Sequence, residues 1–393
     1  MRPGTPSAAR LEHTGESMGG RGGRAPRFRG RLEVIPLGVD TAVLKPGDKP
    51  ALKRRLGLHP ACLCLLWMGR FSASDKADLL PLVQVFARLR HRFPRARLEL
   101  VLAGSDRGID SVFLRDFAQQ LGVARHLHVL TSAPASERHL VHAAADVFVS
   151  PVDNVQETFG LTPVEAMACG VPQVVSDWDG YRDTVLHGET GFLVPTTWAD
   201  CTRALDLAAP LTGGGMLDHL ASAQSVAVDV AALEAALATL VQQPELRQRM
   251  GAASRRRAVR HYAWRAVLAH YDALWEELGR EARRAPLSRH TGYPAPEQFE
   301  VFRGYPSRLL APNAPLSLTP LGRAALAGTH PVAAYYAGSG IALAVLERLL
   351  THLHRGTRTV AQLTGRSDAE PRLRHLLWLL KYGLVTEAHG DAR

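Results

Sequence analysis

Between Val34 and Ser176 short apolar runs alternate with amphipathic stretches, and this alternation constrains the fold more than any other feature of the chain. Val34–Leu37, Leu63–Met68, Leu98–Ala103, His128–Leu130, Val147–Ser150 and Gln173–Ser176 read as strands. Pro81–Arg92, Val112–Leu121, Glu137–Ala144 and Thr162–Ala168, between them, space their apolar residues as helices do. Strand and helix in alternation imply a parallel sheet covered on both faces. Ligands of such α/β sheets sit at the carboxyl ends of the strands, where loops lead into helices.

The pattern changes after about Trp198. Strands are expected to cease, and Asp229–Val241, Pro244–Tyr262 and Trp264–Leu278 read as helices. Six prolines from Pro294 to Pro320 predict an extended linker. In the last block, Ala342–Leu353, Thr359–Leu363 and Glu370–Leu380 are helical stretches ahead of Gly383-Leu384-Val385, and together they resemble a winged helix-turn-helix. A DNA-binding reading of that block turns Arg372, Arg374 and His375 toward a groove, but the block's modest charge favours protein interaction or packing on the α/β domain. The expected division is residues 1–30 as a Gly/Arg-rich tail or remnant, 31–280 as the α/β domain, 281–340 as linker and 341–393 as a small helical module.

Net charge is +10, from 47 Lys+Arg against 37 Asp+Glu. Its location matters more than its size. Residues 31–200 hold 18 basic against 19 acidic residues, and residues 341–393 hold 8 against 5. The basicity lies outside the α/β region, so it is poor evidence for nucleic acid. Only five cations are lysines: Lys45, Lys49, Lys53, Lys76 and Lys381. No run approaches the roughly 18 apolar residues of a membrane span. Four cysteines exclude a disulfide scaffold and fit a reducing, cytoplasmic setting. Cys62 and Cys64 lie in an apolar run with no second pair to complete a metal site, and buried thiols are expected.

Chemistry concentrates in Ser150–Pro195. A strand ends at Ser150, a loop carries Glu157, and a helix opens near Thr162-Pro163. Proline suits a first helical turn, and the free N–H groups there, with the helix dipole, seat a phosphate. Glu165, expected in that first turn, and Glu157 are acceptors suited to paired sugar or ribose hydroxyls. Taken singly, each is equally consistent with a dipole-stabilising acid or a solvated loop residue.

The surrounding residues sharpen this reading. Glu157 and Glu165 form a Glu-x7-Glu pair, followed by Cys169-Gly170-Val171-Pro172, Asp179-Gly180 and His187-Gly188-Glu189-Thr190-Gly191-Phe192-Leu193-Val194. Upstream lie Ile35-Pro36-Leu37-Gly38-Val39-Asp40, then Gly69-Arg70 and Lys76. From Leu32 to about Leu278 the chain resembles the donor-binding half of retaining nucleotide-sugar glycosyltransferases of GT-B fold, the group 1 (family 4) type. Ala77 departs from the glycine usual after the lysine.

The resemblance implies a Rossmann-like domain, and the C-terminal block adds a mainly helical, winged-helix-like region after it. It implies transfer of a hexosyl group from a nucleoside diphosphate sugar to an acceptor hydroxyl, with retention of configuration. Arg70 and Lys76, beside Gly69, would neutralise the donor diphosphate; Glu157 would face the sugar and Glu165 the ribose. Phe159, Gly160, Leu161 and Thr162 would contact sugar and phosphates, and Thr131–Pro134 the base. Neither metal nor other cofactor is expected. Thirty residues ahead of the first motif are too few for a second Rossmann-like half, which implies an acceptor domain cut off by a truncated start or supplied by another chain. The apolar face of Trp264–Leu278 would then serve a partner or a homodimer. The alternative is a non-catalytic or partner-dependent nucleotide-sugar-binding protein.

Overall fold

The structure, a computed structural model, describes residues 33–106, 110–131, 137–201, 216–284, 298–329, 340–365 and 369–388. Five of the expected strands form: β1 (Leu63–Met68), β2 (Leu98–Ala103), β3 (Leu127–Leu130), β4 (Val147–Ser150) and β5 (Gln173–Ser176). With β6 (Gly191–Val194) they make one parallel Rossmann-like sheet of order β3-β2-β1-β4-β5-β6. Every residue of β4 and β5 is buried, which is why these strands read as continuous apolar runs. Cys62 and Cys64 are buried and free, and burial pushes the Cys62 thiol up to about 11.

Helices connect the strands: α1 (Lys49–Arg55), α2 (Leu80–Arg92), α3 (Asp110–Gln120), α4 (Arg138–Ala144), α5 (Leu161–Ala168) and α6 (Tyr181–Thr184). Asp48 caps α1 by accepting from the Ala51 N–H at 3.2 Å, and three basic residues fill its last turn. Beyond the sheet come β7 (Thr196–Trp198), α7 (Met216–Ala223), β8 (Val226–Val228), α8 (Val230–Gln242), α9 (Pro244–Arg257) and α10 (Trp264–Ala282). Helix α8 packs on α2 and α9 on α5, and the two helices touch each other. No helix among the described residues is long and apolar enough to cross a membrane.

Three expectations need correction. Val34–Leu37 is not a strand: Val34 and Leu37 are exposed, and Val39 makes only a single bridge to Ala263. An apolar run becomes a strand only beside a partner.

Nor do strands cease after Trp198. β7, β8 and β9 (Arg308–Leu309) form one small sheet, while β10 (Pro315–Leu318), β11 (Arg358–Thr359) and β12 (Val385–Glu387) form another, antiparallel. Strands this short leave no readable alternation. The Pro-rich passage accordingly is not an extended linker over 298–329. It contains α11 (Gln298–Phe302), β9, β10 and α12 (Pro320–Leu326), and it buries Phe299, Leu310 and Leu316. Its prolines start elements instead of interrupting them: Pro320 opens α12 behind the Thr319 cap.

The three C-terminal helices form as α13 (Leu343–His354), α14 (Val360–Thr364) and α15 (Ala369–Lys381). Of the readings open for this block, packing on the α/β domain is the one that α15 follows. Arg374 and His375 are buried; Arg374 donates to Gln224 Oε1 at 2.8 Å, and His375 Nε2 accepts from the Ala342 N–H. Arg372 donates to the Thr364 carbonyl. The helix packs on β8 of the α/β domain, so these residues present no groove-reading face. The expected tail, residues 1–30, lies outside the described residues.

Candidate functional site

Strand order places the chemistry. The chain runs outward from β1 to β3 on one side and from β4 to β6 on the other, so the loops after β1 and β4 part over a crevice at the strands' carboxyl ends. Gly69, Arg70 and Lys76 follow β1; Glu157, Phe159, Gly160, Leu161, Thr162 and Glu165 follow β4. Residues some eighty positions apart are thereby brought to one site.

The centre of the site is an ion pair between Lys76 Nζ and Glu157 Oε2, whose side chains keep 18% and 10% exposure. The same carboxylate oxygen accepts from the Tyr181 hydroxyl at 3.4 Å, and that hydroxyl lies 2.9 Å from Ser150 Oγ. Burial, reinforced by the Glu157 charge, drives the Tyr181 phenol well above its usual range, so it stays a neutral donor. Gly69 is held beside the pair because a Cβ there would meet the Trp67 ring at 2.8 Å and Lys76 Cε at 3.0 Å.

Arg70 is exposed at the mouth of the crevice. Its charge also reaches Asp75. Burial raises the Asp75 carboxyl, but hydrogen bonds from His219 and Ser72, with Arg70 nearby, hold it below its ordinary value.

Gly160 precedes helix α5 in the left-handed region at φ 84°, with no side chain capping the turn. A Cβ at Gly160 would fall 2.1 Å from the Tyr181 ring. The N–H groups of Phe159, Gly160, Leu161 and Thr162 donate to nothing among the described residues. Thr162 Oγ1 is likewise buried without a hydrogen-bond partner there. A cluster of free donors at a helix start is an anion site.

Glu165 lies past the first turn of α5, which holds no acid, because the helix starts at Leu161. Its placement comes instead from buried His142 on α4, whose Nε2 lies 3.2 Å from Glu165 Oε2. The structure therefore brings Lys76, Glu157 and the start of α5 together, with Glu165 held separately by α4. Within the predicted base-contacting segment Thr131–Pro134, residues 132–134 lie outside the described residues. Tyr181, Ser150 and His142 were not singled out from sequence, since a tyrosine or histidine in an apolar stretch looks like ordinary core. The one available signal for Tyr181 was its position directly after Asp179-Gly180, where Gly180 has its missing Cβ pressed on the Thr158 carbonyl. A cleft of about 640 Å³ lined by Arg88, Glu234, Arg308 and Glu387 contains none of the predicted site residues.

Comparison with known proteins bears on this arrangement. Residues 48–209 match the family described as glycosyl transferases group 1. D-inositol 3-phosphate glycosyltransferase of Stackebrandtia nassauensis is 38% identical over 203 residues, 49% of this chain and 45% of that protein. The protein of the same name from Mycolicibacterium gilvum is 34% identical over 203 residues, 49% of this chain and 43% of its own. The chain thus spans a little under half the length of these curated relatives. Among solved structures, sucrose-phosphate synthase from Thermosynechococcus elongatus aligns with TM-score 0.49 and 23% identity, covering 64% of this chain and 54% of that one. Anabaena HepE in complex with UDP and glucose aligns with TM-score 0.47 and 18% identity, covering 63% and 57%.

Proposed function

We propose, from the match of residues 48–209 to the family described as glycosyl transferases group 1, that this chain is the donor-binding part of a retaining glycosyltransferase. It moves a hexosyl group from a nucleoside diphosphate sugar to an acceptor hydroxyl. The observation that carries this reading is the meeting of Lys76, Glu157 and four unengaged N–H groups at the switch point of the sheet.

The anomeric carbon–oxygen bond breaks with its electron pair passing to the diphosphate oxygen. Arg70, Lys76 and the start of α5 meet that growing charge, as preorganised donors do best in a partly dry crevice. These groups, in place of a metal ion, are proposed to balance the diphosphate. Lys76 must then turn from Glu157 toward phosphate. Glu157, steadied by the Tyr181 hydroxyl, is left to face the positive charge developing on the sugar. The acceptor oxygen attacks from the leaving-group face and gives its proton to the departing phosphate oxygen, so no glycosyl-enzyme bond forms and configuration is kept. Glu165, oriented by His142, takes the ribose hydroxyls.

Calorimetric titration with UDP, GDP and ADP tests the donor assignment. Each cation hydrogen-bonded to a phosphate contributes about 1.5–3 kcal/mol, so Arg70→Ala/Lys76→Ala should weaken binding about a hundredfold or more. EDTA should leave the wild-type affinity unchanged. The donor assignment falls if no diphosphate binds, or if the double variant binds as well as wild type.

An acceptor-side partner is part of the proposal. Trp264, Leu268, Trp275 and Leu278 leave α10 with an apolar face that is 47%, 48%, 60% and 48% exposed at these positions, and such faces mark association sites. Light scattering should find self-association or complex formation; a monomer at every concentration, alone and beside a co-expressed acceptor domain, overturns this part.

A further inference from the structure

Beneath the crevice lies a second lysine–carboxylate cluster that the donor chemistry does not use. Lys381, the last residue of α15, is 1% exposed and pairs with Asp153, while Asp78 Oδ2 lies 3.7 Å away. Its ammonium also donates to the Ala223 carbonyl at 3.3 Å. The hydroxyl of the next residue, Tyr382, donates to Asp78 Oδ2. Neither Lys381 nor Tyr382 lies in the region matching the family, which ends at residue 209.

Both carboxylates belong to the loops that carry the chemistry. Asp78 stands two residues after Lys76, and Asp153 four residues before Glu157. The loops are tied to each other as well. The Asp78 N–H donates to Asp153 Oδ1 at 3.4 Å, and Asn154 donates to the Ser74 carbonyl. The Asn154 carbonyl accepts from the Glu157 N–H at 3.1 Å and from Trp178 Nε1 at 3.1 Å. Asp78 Oδ1 accepts from the Leu80 N–H at 2.9 Å, fixing the entry to α2. Without the ammonium, two buried carboxylates would face each other, and the loops would part to hydrate them.

We propose that Lys381 and Tyr382 are positioning residues: the C-terminal module clamps the loops after β1 and β4 from below, so that Lys76 and Glu157 stand opposite each other. Choice of residue fits this role. In a chain with 42 arginines, four of the five lysines meet a carboxylate, Lys49 and Lys53 at Asp146, Lys76 at Glu157 and Lys381 at Asp153, while Lys45 is exposed. A guanidinium would not fit between Asp153, Asp78 and the Ala223 carbonyl without spreading them. The module itself is anchored independently of the cluster, by the Arg374–Gln224 hydrogen bond and by the fully buried Trp378.

The catalytic meaning of the clamp rests on the donor reading above; the clamp itself does not. Amide hydrogen exchange of the full chain therefore comes first. In Lys381→Met, exchange over residues 72–78 and 153–160 should quicken by about tenfold or more relative to β5 and β6. Unchanged exchange in both loops overturns the clamp. The second readout compares the best-bound of UDP, GDP and ADP with its own nucleoside. Lys381→Met should lose about tenfold in diphosphate affinity while nucleoside affinity holds, because Lys76 meets only phosphate.

Should Lys381→Met not fold, Asp153→Asn/Lys381→Met removes both charges and keeps the shape. If that variant folds and still binds the diphosphate as tightly as wild type, Lys381 is structural only. Tyr382→Phe should give a smaller loss in the same direction. A wild type that binds no diphosphate refutes the donor reading, and the exchange result still decides the clamp.

Discussion

Lys76 and Lys381 each meet a carboxylate from the segment after β4, Glu157 and Asp153 respectively, and they differ in access to water. The first pair sits at the open strand ends with both side chains partly exposed. The second is sealed under the C-terminal module, with both side chains 1% exposed. An open pair trades partners cheaply, since water and an incoming phosphate both compensate the separated charges. A sealed pair cannot, because removing either member strands the other in an apolar surrounding. One lysine is therefore suited to handling substrate and the other to holding the frame in which substrate is handled.

Stability measurements put the contrast at risk most directly. Lys381→Met leaves Asp153 and Asp78 buried together and should cost about 3–5 kcal/mol of unfolding free energy. Lys76→Met should cost about 1 kcal/mol or less, because Glu157 can hydrate. Denaturant titration of the two variants checks this, and equal losses would abolish the distinction.

A smaller effect follows from pH. Burial raises the Asp153 carboxyl from 3.8 to about 6, against the pull of Lys381 and with a further push from Asp78. The folded state thus keeps a proton there that the unfolded chain has already released, so this group's contribution to stability falls as pH rises from 3.8 to about 6. Relative to Asp153→Asn, the wild type should lose roughly 1–3 kcal/mol across that window and stay level above it. Thermal melts of both proteins at half-unit pH steps read the difference; parallel curves would mean that Asp153 is not sealed.

Legibility in the sequence followed the length and contact range of each element. β1, β2, β4 and β5 were readable because strands buried on both faces are mostly apolar. β9 and β11, two residues each, could not be read, since two residues carry no period. Helix α15 was readable as a helix but not in its orientation. Its Arg374 and His375 look like a solvent-facing or groove-facing pair until Gln224 and Ala342 are seen to engage them.

At the site, Arg70, Lys76, Glu157 and Glu165 were named from motifs that resemble a known family, whereas Tyr181 and His142 act through contacts with residues more than twenty positions away. The same limit hid Lys381. It stands 228 positions from Asp153, in a stretch whose only visible property is an amphipathic helix.

The sequence by itself determined the α/β alternation, the crevice-lining motifs and the placing of useful cations in a nearly neutral region, because these depend on local period and on residue type. Only the tertiary structure decided that Lys76 faces Glu157, that His142 holds Glu165, and that the C-terminal helix ends in a buried ammonium between two carboxylates of the loops after β1 and β4. Those are pairings across long loops, and the free energy that selects them comes from desolvation and packing of the assembled chain, which no short stretch of sequence contains.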